Sequence, residues 1–181
     1  MTPVKKGALI MVLALAAGWG GLEFGRWTRS QSAPQTGTSN ANAVQQLLVT
    51  SFKTPEGDAK TLNAWQGKIL VINFWATWCP PCREEMPEFS QAQDEYGPNG
   101  VQFVGIAVDQ ASNVVDFTKK TPVSYPLLVA NPDITGLMAQ LGNPQQGLPF
   151  TIILGRDGKP LSAHLGRLSK EDLSKQLKPL L

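Results

Sequence analysis

Cys79 and Cys82 are the only cysteines among 181 residues, and they stand three positions apart in Trp78-Cys79-Pro80-Pro81-Cys82. A disulfide between them would close a four-residue loop, worth roughly 2 kcal/mol on the chain-entropy account. That is a weak staple, and a chain with one such pair cannot be a secreted scaffold held by several bridges. The pair makes better sense as chemistry. With Cys79 as the N-cap of a helix, Pro80 takes the first helical position, where its fixed φ and missing N–H cost nothing. Cys82 then lies one turn above Cys79 on the same face, within reach of a disulfide. Free N–H groups and the helix dipole favour the thiolate of Cys79, which is expected at an exposed helix tip as the attacking sulfur. Cys82, deeper in the helix, is expected to resolve mixed disulfides. The pattern is that of a dithiol–disulfide exchange centre.

The second proline tunes that chemistry. Neither Pro80 nor Pro81 has an N–H, so of the usual capping donors only the Cys82 amide remains for the Cys79 sulfur. A thiolate with few donors is less stabilised, which disfavours the reduced form and makes the pair a better reductant. Two rival uses of the sulfurs stay open. Soft thiolates suit Cu(I), although a closed tetrahedral zinc site needs four ligands and the chain has one histidine, His164. A thiol peroxidase would use the same pair. His164 is expected on a late strand away from Cys79, and neither a metal nor a cofactor is expected to be needed.

The elements that must position the cysteines are legible as apolar runs. Residues 68–74 (KILVINF) read as a buried central strand, and 101–108 (VQFVGIAV) and 148–154 (LPFTIIL) share its character. Residues 161–166 (LSAHLG) alternate more and suit a strand nearer an edge, joined to the preceding run by Asp157-Gly158 as an antiparallel hairpin. Helices are predicted from the cysteines to about Tyr96, over 112–120, over 134–141, and over 169–178, the last opened by Ser169-Lys-Glu-Asp172. This order implies an α/β fold of three layers, a mixed sheet with helices on both faces.

The N-terminal residues differ in kind. Lys5 and Lys6 precede an uncharged apolar run, Gly7–Leu22, extended by Phe24 and Trp27. Its 16 residues span about 24 Å as a helix, against roughly 30 Å of bilayer hydrocarbon. An uncleaved anchor over 1–27, a signal peptide cut after Ala14-x-Ala16, and a buried soluble helix are the three readings; the anchor is the one carried forward. Lys5 and Lys6 favour a cytoplasmic N-terminus, partly opposed by Arg26 and Arg29, which puts the main domain outside the cytoplasmic membrane. Residues 28–44 are polar and small and read as a flexible tether, leaving 45–181 as the folded domain. Of the 16 basic and 14 acidic residues, four and one precede residue 45. The domain therefore carries 12 bases and 13 acids, a net charge of −1 with no basic run, so nucleic-acid binding is disfavoured.

NFWATWCPPCREEMP, with GLPFTIIL and GRDGKPLSAHLG downstream, resembles the thioredoxin superfamily. More narrowly it is similar to the membrane-anchored extracytoplasmic TlpA/ResA-like thiol–disulfide oxidoreductases. The resemblance covers about residues 45–181 and rests on the CxxC after an apolar strand, Pro87 five residues beyond Cys82, and Leu-Pro149 opening a late strand. It implies that Pro149 is the cis-proline beside the active-site sulfurs that holds an extended substrate backbone. It implies that Asn73 stands where thioredoxins proper carry a buried Asp, which removes that proton relay. Glu85, three residues past Cys82, is implied as the carboxylate near the dithiol; the plainer alternative is a solvated face formed by Glu84, Glu85 and Glu88. Trp75 is expected in the core and Trp78 partly exposed as a contact surface. The implied partners are disulfide-containing extracytoplasmic proteins, apocytochrome c among them, and a membrane reductant that recharges the dithiol.

Overall fold

The computed structural model describes residues 41–181. The anchor expected over 1–27 and most of the tether lie outside the described residues, among which no helix is long and apolar enough to cross a membrane. The continuous Ile/Val-rich run becomes β3 (Ile69–Trp75), buried on both faces at every position. It follows two short strands, β1 (Phe52–Lys53) and β2 (Ala59–Lys60), and pairs in parallel with β4 (Val101–Ala107). On its other edge it pairs antiparallel with β6 (Phe150–Leu154), which turns back through Asp157-Gly158 into β7 (Pro160–Leu165). With β5 (Leu127–Val129), the seven-stranded sheet runs β2-β1-β5-β4-β3-β6-β7. Pro160 is tolerated because β7 is an edge.

Strand alternation sorts the core into two layers. Ile69, Val71 and Trp75 face one side, where they pack with Phe89 and Ala92 of α2 (Pro80–Tyr96), Val114 of α3 (Ala111–Lys120) and Leu173 and Leu177 of α5 (Lys170–Leu177). Leu70, Ile72 and Phe74 face the other, under Val44 and Leu47 of α1 (Ala41–Val49) and Leu137 and Met138 of α4 (Ile134–Gln140). The fold is thioredoxin-like, a mixed sheet between helical layers.

Three features differ from the sequence expectation. Helix α1 starts at Ala41, inside the segment read as a tether to residue 44, and buries Ala43 and Val44. Ala43, Val44, Leu47 and Leu48 form one helical stripe, which the surrounding polar residues mask in composition. The strands β1, β2 and β5 are two or three residues long, too short to show a period. The run at 148–154 becomes a strand only at Phe150.

At the C-terminal helix the capping signal is realised: the Ser169 side chain accepts from the Asp172 amide at 3.2 Å. Ser169→Ala is expected to cost about 1 kcal/mol, a fall of a few degrees in melting temperature that calorimetry would register.

Candidate active site

The site is built where β3 ends. A loop of three residues, Ala76-Thr77-Trp78, leads from Trp75 to Cys79, the N-cap of α2, with extended dihedrals (φ −93°, ψ 106°). Asp109, just past β4, holds that loop: its Oδ2 accepts from the Thr77 amide at 3.0 Å and the Thr77 hydroxyl at 2.5 Å. Cys79 and Cys82 are joined by a disulfide with Cα atoms 5.3 Å apart. As the two prolines require, the Cys79 sulfur accepts from the Cys82 amide, at 3.4 Å.

Exposure corrects one expectation. Cys79 is not at an open tip: it is only 4% exposed, packed in a core cluster with Trp75, Ala76 and Leu168. Cys82 is fully buried. What surface the pair offers therefore belongs to Cys79, which directs an incoming thiolate to that sulfur. Trp78, 66% exposed, and the exposed Pro80 border the opening. Pro81 is half-buried and Trp75 wholly buried.

The Leu148–Pro149 peptide is cis. Phe150 pairs with Phe74, so Pro149, one residue earlier on an antiparallel strand, falls beside the end of β3 from which the cysteine loop departs. Leu148 packs against the cluster that contains both cysteines.

Behind the cysteines lies a buried polar group. Glu85 is one turn beyond Cys82 on the same inward face of α2 and has no exposed surface. Its Oε1 accepts from Asn73 Nδ2 at 2.8 Å and its Oε2 from the Leu168 amide at 3.0 Å. Asn73 Nδ2 also donates to Thr151 Oγ1 at 3.0 Å, across the β3–β6 pairing. Burial pushes the Glu85 carboxyl up to about 7, against the Leu168 and Asn73 hydrogen bonds and the Arg167 charge, which favour the anion. The carboxylate thus comes from the helix and docks on the strand's amide, where a strand Asp would otherwise sit.

The alternative of a solvated acidic face holds for the neighbours only. Glu84 and Glu88 pair with Arg167, and Glu88 Oε2 accepts from the Lys170 amide at 2.6 Å. Glu85 is turned inward.

Thr151, the Leu168 amide and Asp109 were not anticipated. Thr151 had a readable signal, as the lone polar residue in the run FTIIL, matched by Asn73 in ILVINF. The other two come from loops that only the folded chain brings in. His164 is exposed on β7, and the described residues gather no set of three His, Cys, Asp or Glu side chains able to hold a metal.

With one capping donor on Cys79, the reduction potential is expected near −270 mV, the thioredoxin end of the range, and far from −120 mV. Equilibration with dithiothreitol would measure it, and a value above about −180 mV would contradict the capping argument.

Among known proteins, the chain is similar to the thioredoxin-like protein YneN of Bacillus subtilis, 29% identical over 94% of each chain. It is 27% identical to the thiol-disulfide oxidoreductase ResA of Geobacillus thermodenitrificans, over 94% of this chain and 92% of that one. A solved thiol:disulfide interchange protein of the thioredoxin family from Chlorobium tepidum superposes with a TM-score of 0.63 at 31% identity, covering 72% of this chain and 92% of its own. Residues 45–160 match the AhpC/TSA family. That match takes in well over half of the sequence, and the chain accordingly belongs to the AhpC/TSA family, as a thiol–disulfide oxidoreductase of thioredoxin-like fold.

Proposed function

We propose that the chain is a membrane-tethered reductant of disulfides in proteins outside the cytoplasmic membrane. The observation that carries the reading is the Cys79–Cys82 bond at a helix N-terminus, with one sulfur-bearing residue offering surface and a carboxyl of pKa about 7 buried one turn behind. In the reduced form the Cys79 thiolate attacks a substrate disulfide; a Cys79–substrate bond forms as the substrate bond breaks, and one substrate sulfur leaves as thiolate. Cys82 gives its proton to Glu85 and attacks Cys79, forming the intramolecular disulfide and releasing the second substrate sulfur. Two electrons pass from the pair to the substrate, and a membrane reductant restores the dithiol. Pro149 holds the substrate backbone extended at the end of β3, with Trp78 as a contact surface.

Apocytochrome c before haem attachment is the proposed substrate class. Tethering through residues 1–27 and 28–44 raises the effective concentration of the domain 45–181 near its reductant. The uncharged run Gly7–Leu22, preceded by Lys5 and Lys6, supports the anchor. Protease accessibility tests the placement: the domain is expected to be cleaved before the inner membrane is lysed, and protection until lysis would sink it. Turnover separates the chemistry. Insulin reduction is expected; peroxide consumption without insulin reduction would make the chain a thiol peroxidase instead.

A further inference from the structure

We propose that the groove between α2 and α3, beside the cysteines, docks an acidic stretch of the substrate polypeptide, with Arg83 and Lys120 receiving its Asp or Glu side chains. This deepens the reading of the chain as a protein disulfide reductant and rests on it.

The groove has a volume of about 530 Å³, within the roughly 300–1,000 Å³ of binding clefts. Its lining begins at the reactive pair: Thr77 stands two residues before Cys79, and Arg83 directly follows Cys82. Phe117 lines it too, and its ring packs against Trp75 with centroids 5.2 Å apart, in the cluster that holds both sulfurs. Sheet order places the groove relative to the cis-proline. Strand β3 lies between β4 and β6; Pro149 precedes β6, and α3 follows β4. The cis-proline and the groove therefore flank Cys79 on opposite sides. A substrate backbone held by Pro149 and crossing Cys79 runs on into the groove. Because of this position, the occupant is the chain whose disulfide is being exchanged. The α3 residues of the lining reach from Asn113 to Lys120. That is about 10 Å of helix, the length of three residues of extended chain, so the acid falls within about four residues of the reacting cysteine.

Charge names the chemistry of the occupant. Arg83 and Lys120 are exposed, and neither cationic group has an ion-pair partner within 4 Å among the described residues. The acids beside Arg83 in sequence do not serve it: Glu84 and Glu88 turn to Arg167, and Glu85 is buried. Asp116 is the one acid of the lining, and Lys119 takes it at 2.9 Å, with Lys120 adding to the positive field on it. Asp109, behind Thr77, is spent on hydrogen bonds from Thr77, Gln110 and Asn113. Arg83, Lys119 and Lys120 thus outnumber Asp109 and Asp116, a local positive balance on a domain of net charge −1. Such a cleft draws in the opposite charge and speeds its encounter.

The test mixes the reduced full-length chain, in detergent micelles, with three synthetic peptides. Each is closed by one internal disulfide, and they differ only in carrying Glu, Gln or Lys beside both cysteines. Acid quenching and mass spectrometry read the rate of reduction. A thiolate alone reacts more slowly with an acid-flanked disulfide, because like charges repel. A preference for Glu therefore runs against the intrinsic order. At low salt the Glu peptide is expected to react about tenfold faster than the Lys peptide, the sum of two exposed ion pairs. The ratio is expected to fall to within about twofold of one in Arg83→Gln/Lys120→Gln, and in the parent at about 1 M salt, where the Debye length is about 3 Å. Taking a ratio cancels any change in thiol reactivity that both peptides share, and the salt arm serves if the variant does not fold. Equal or Lys-favouring rates in the parent overturn the docking site and leave disulfide reduction standing, as does a ratio unmoved by the substitutions or by salt. A parent that reduces none of the three peptides removes the redox reading and the docking site with it.

Discussion

Cys79→Ser is expected to reduce insulin no faster than buffer, whereas Cys82→Ser retains the first half of the cycle and accumulates a covalent complex with its substrate. The two sulfurs are chemically equivalent as residues, and the asymmetry comes from their positions. Cys79 caps α2 and holds all the surface the pair offers, while Cys82 is fully enclosed. An external thiol or disulfide meets only the first. Once a mixed disulfide has formed on Cys79, the nearest nucleophile is Cys82, whose Cα is 5.3 Å away. Replacing that sulfur by oxygen removes the resolving step and leaves the adduct. Non-reducing gels of cells expressing Cys82→Ser, followed by mass spectrometry of the adducts, read the outcome and name the substrates. Equal trapping by Cys79→Ser would mean that Cys82 is reached directly, contrary to its burial.

Glu85→Gln is expected to remove a pH dependence of stability between about 4.5 and 7. The carboxyl has its ordinary value of 4.5 in the unfolded chain and about 7 in the folded one, so the folded state holds the proton more tightly. Its contribution is fully present below 4.5 and is lost as pH rises through 7, where folding must keep an anion buried. A shift of that size corresponds to about 3 kcal/mol across the window. Glutamine cannot ionise, so the variant should lose the slope and be the more stable of the two above pH 7. The gain is reduced by about 1 kcal/mol, because glutamine offers one acceptor where the Asn73 amide and the Leu168 N–H need two. Denaturant titrations at pH 4.5, 6 and 8 measure the slope. The same substitution is expected to slow disulfide exchange at pH 7 on the order of 100-fold, the lower range for a positioned general base. The charged and titratable groups facing Glu85 are Arg167, whose charge favours the anion, Glu88, whose charge opposes it, and Tyr125, whose hydroxyl is held neutral by burial. A rate–pH profile identical to the parent's would remove Glu85 from the chemistry and leave it a structural carboxyl.

Local sequence determined the elements that carry the cysteines, because their signals are short-range. A continuous Ile/Val run makes β3, a proline after Cys79 makes it an N-cap, and a second proline leaves the sulfur one amide to accept from. Asp157-Gly158 closes the β6–β7 hairpin for the same reason. The three-layer α/β architecture follows from the order of those elements. What only the tertiary structure decided was burial and convergence. Three acids lie close together on α2, and nothing local distinguishes Glu85 from Glu84 or Glu88; the packing of α2 over β3 turns one inward onto Asn73 while Arg167 takes the other two. Cys79 reads as exposed from its place at a helix end, yet the loop carrying Leu168 and the end of β3 cover most of it. Thr151 meets Asn73 across 78 positions, and the Leu168 amide and Asp109 reach Glu85 and Thr77 across 83 and 32. Separations of that size leave no period in the sequence, so they exist only once the sheet has formed.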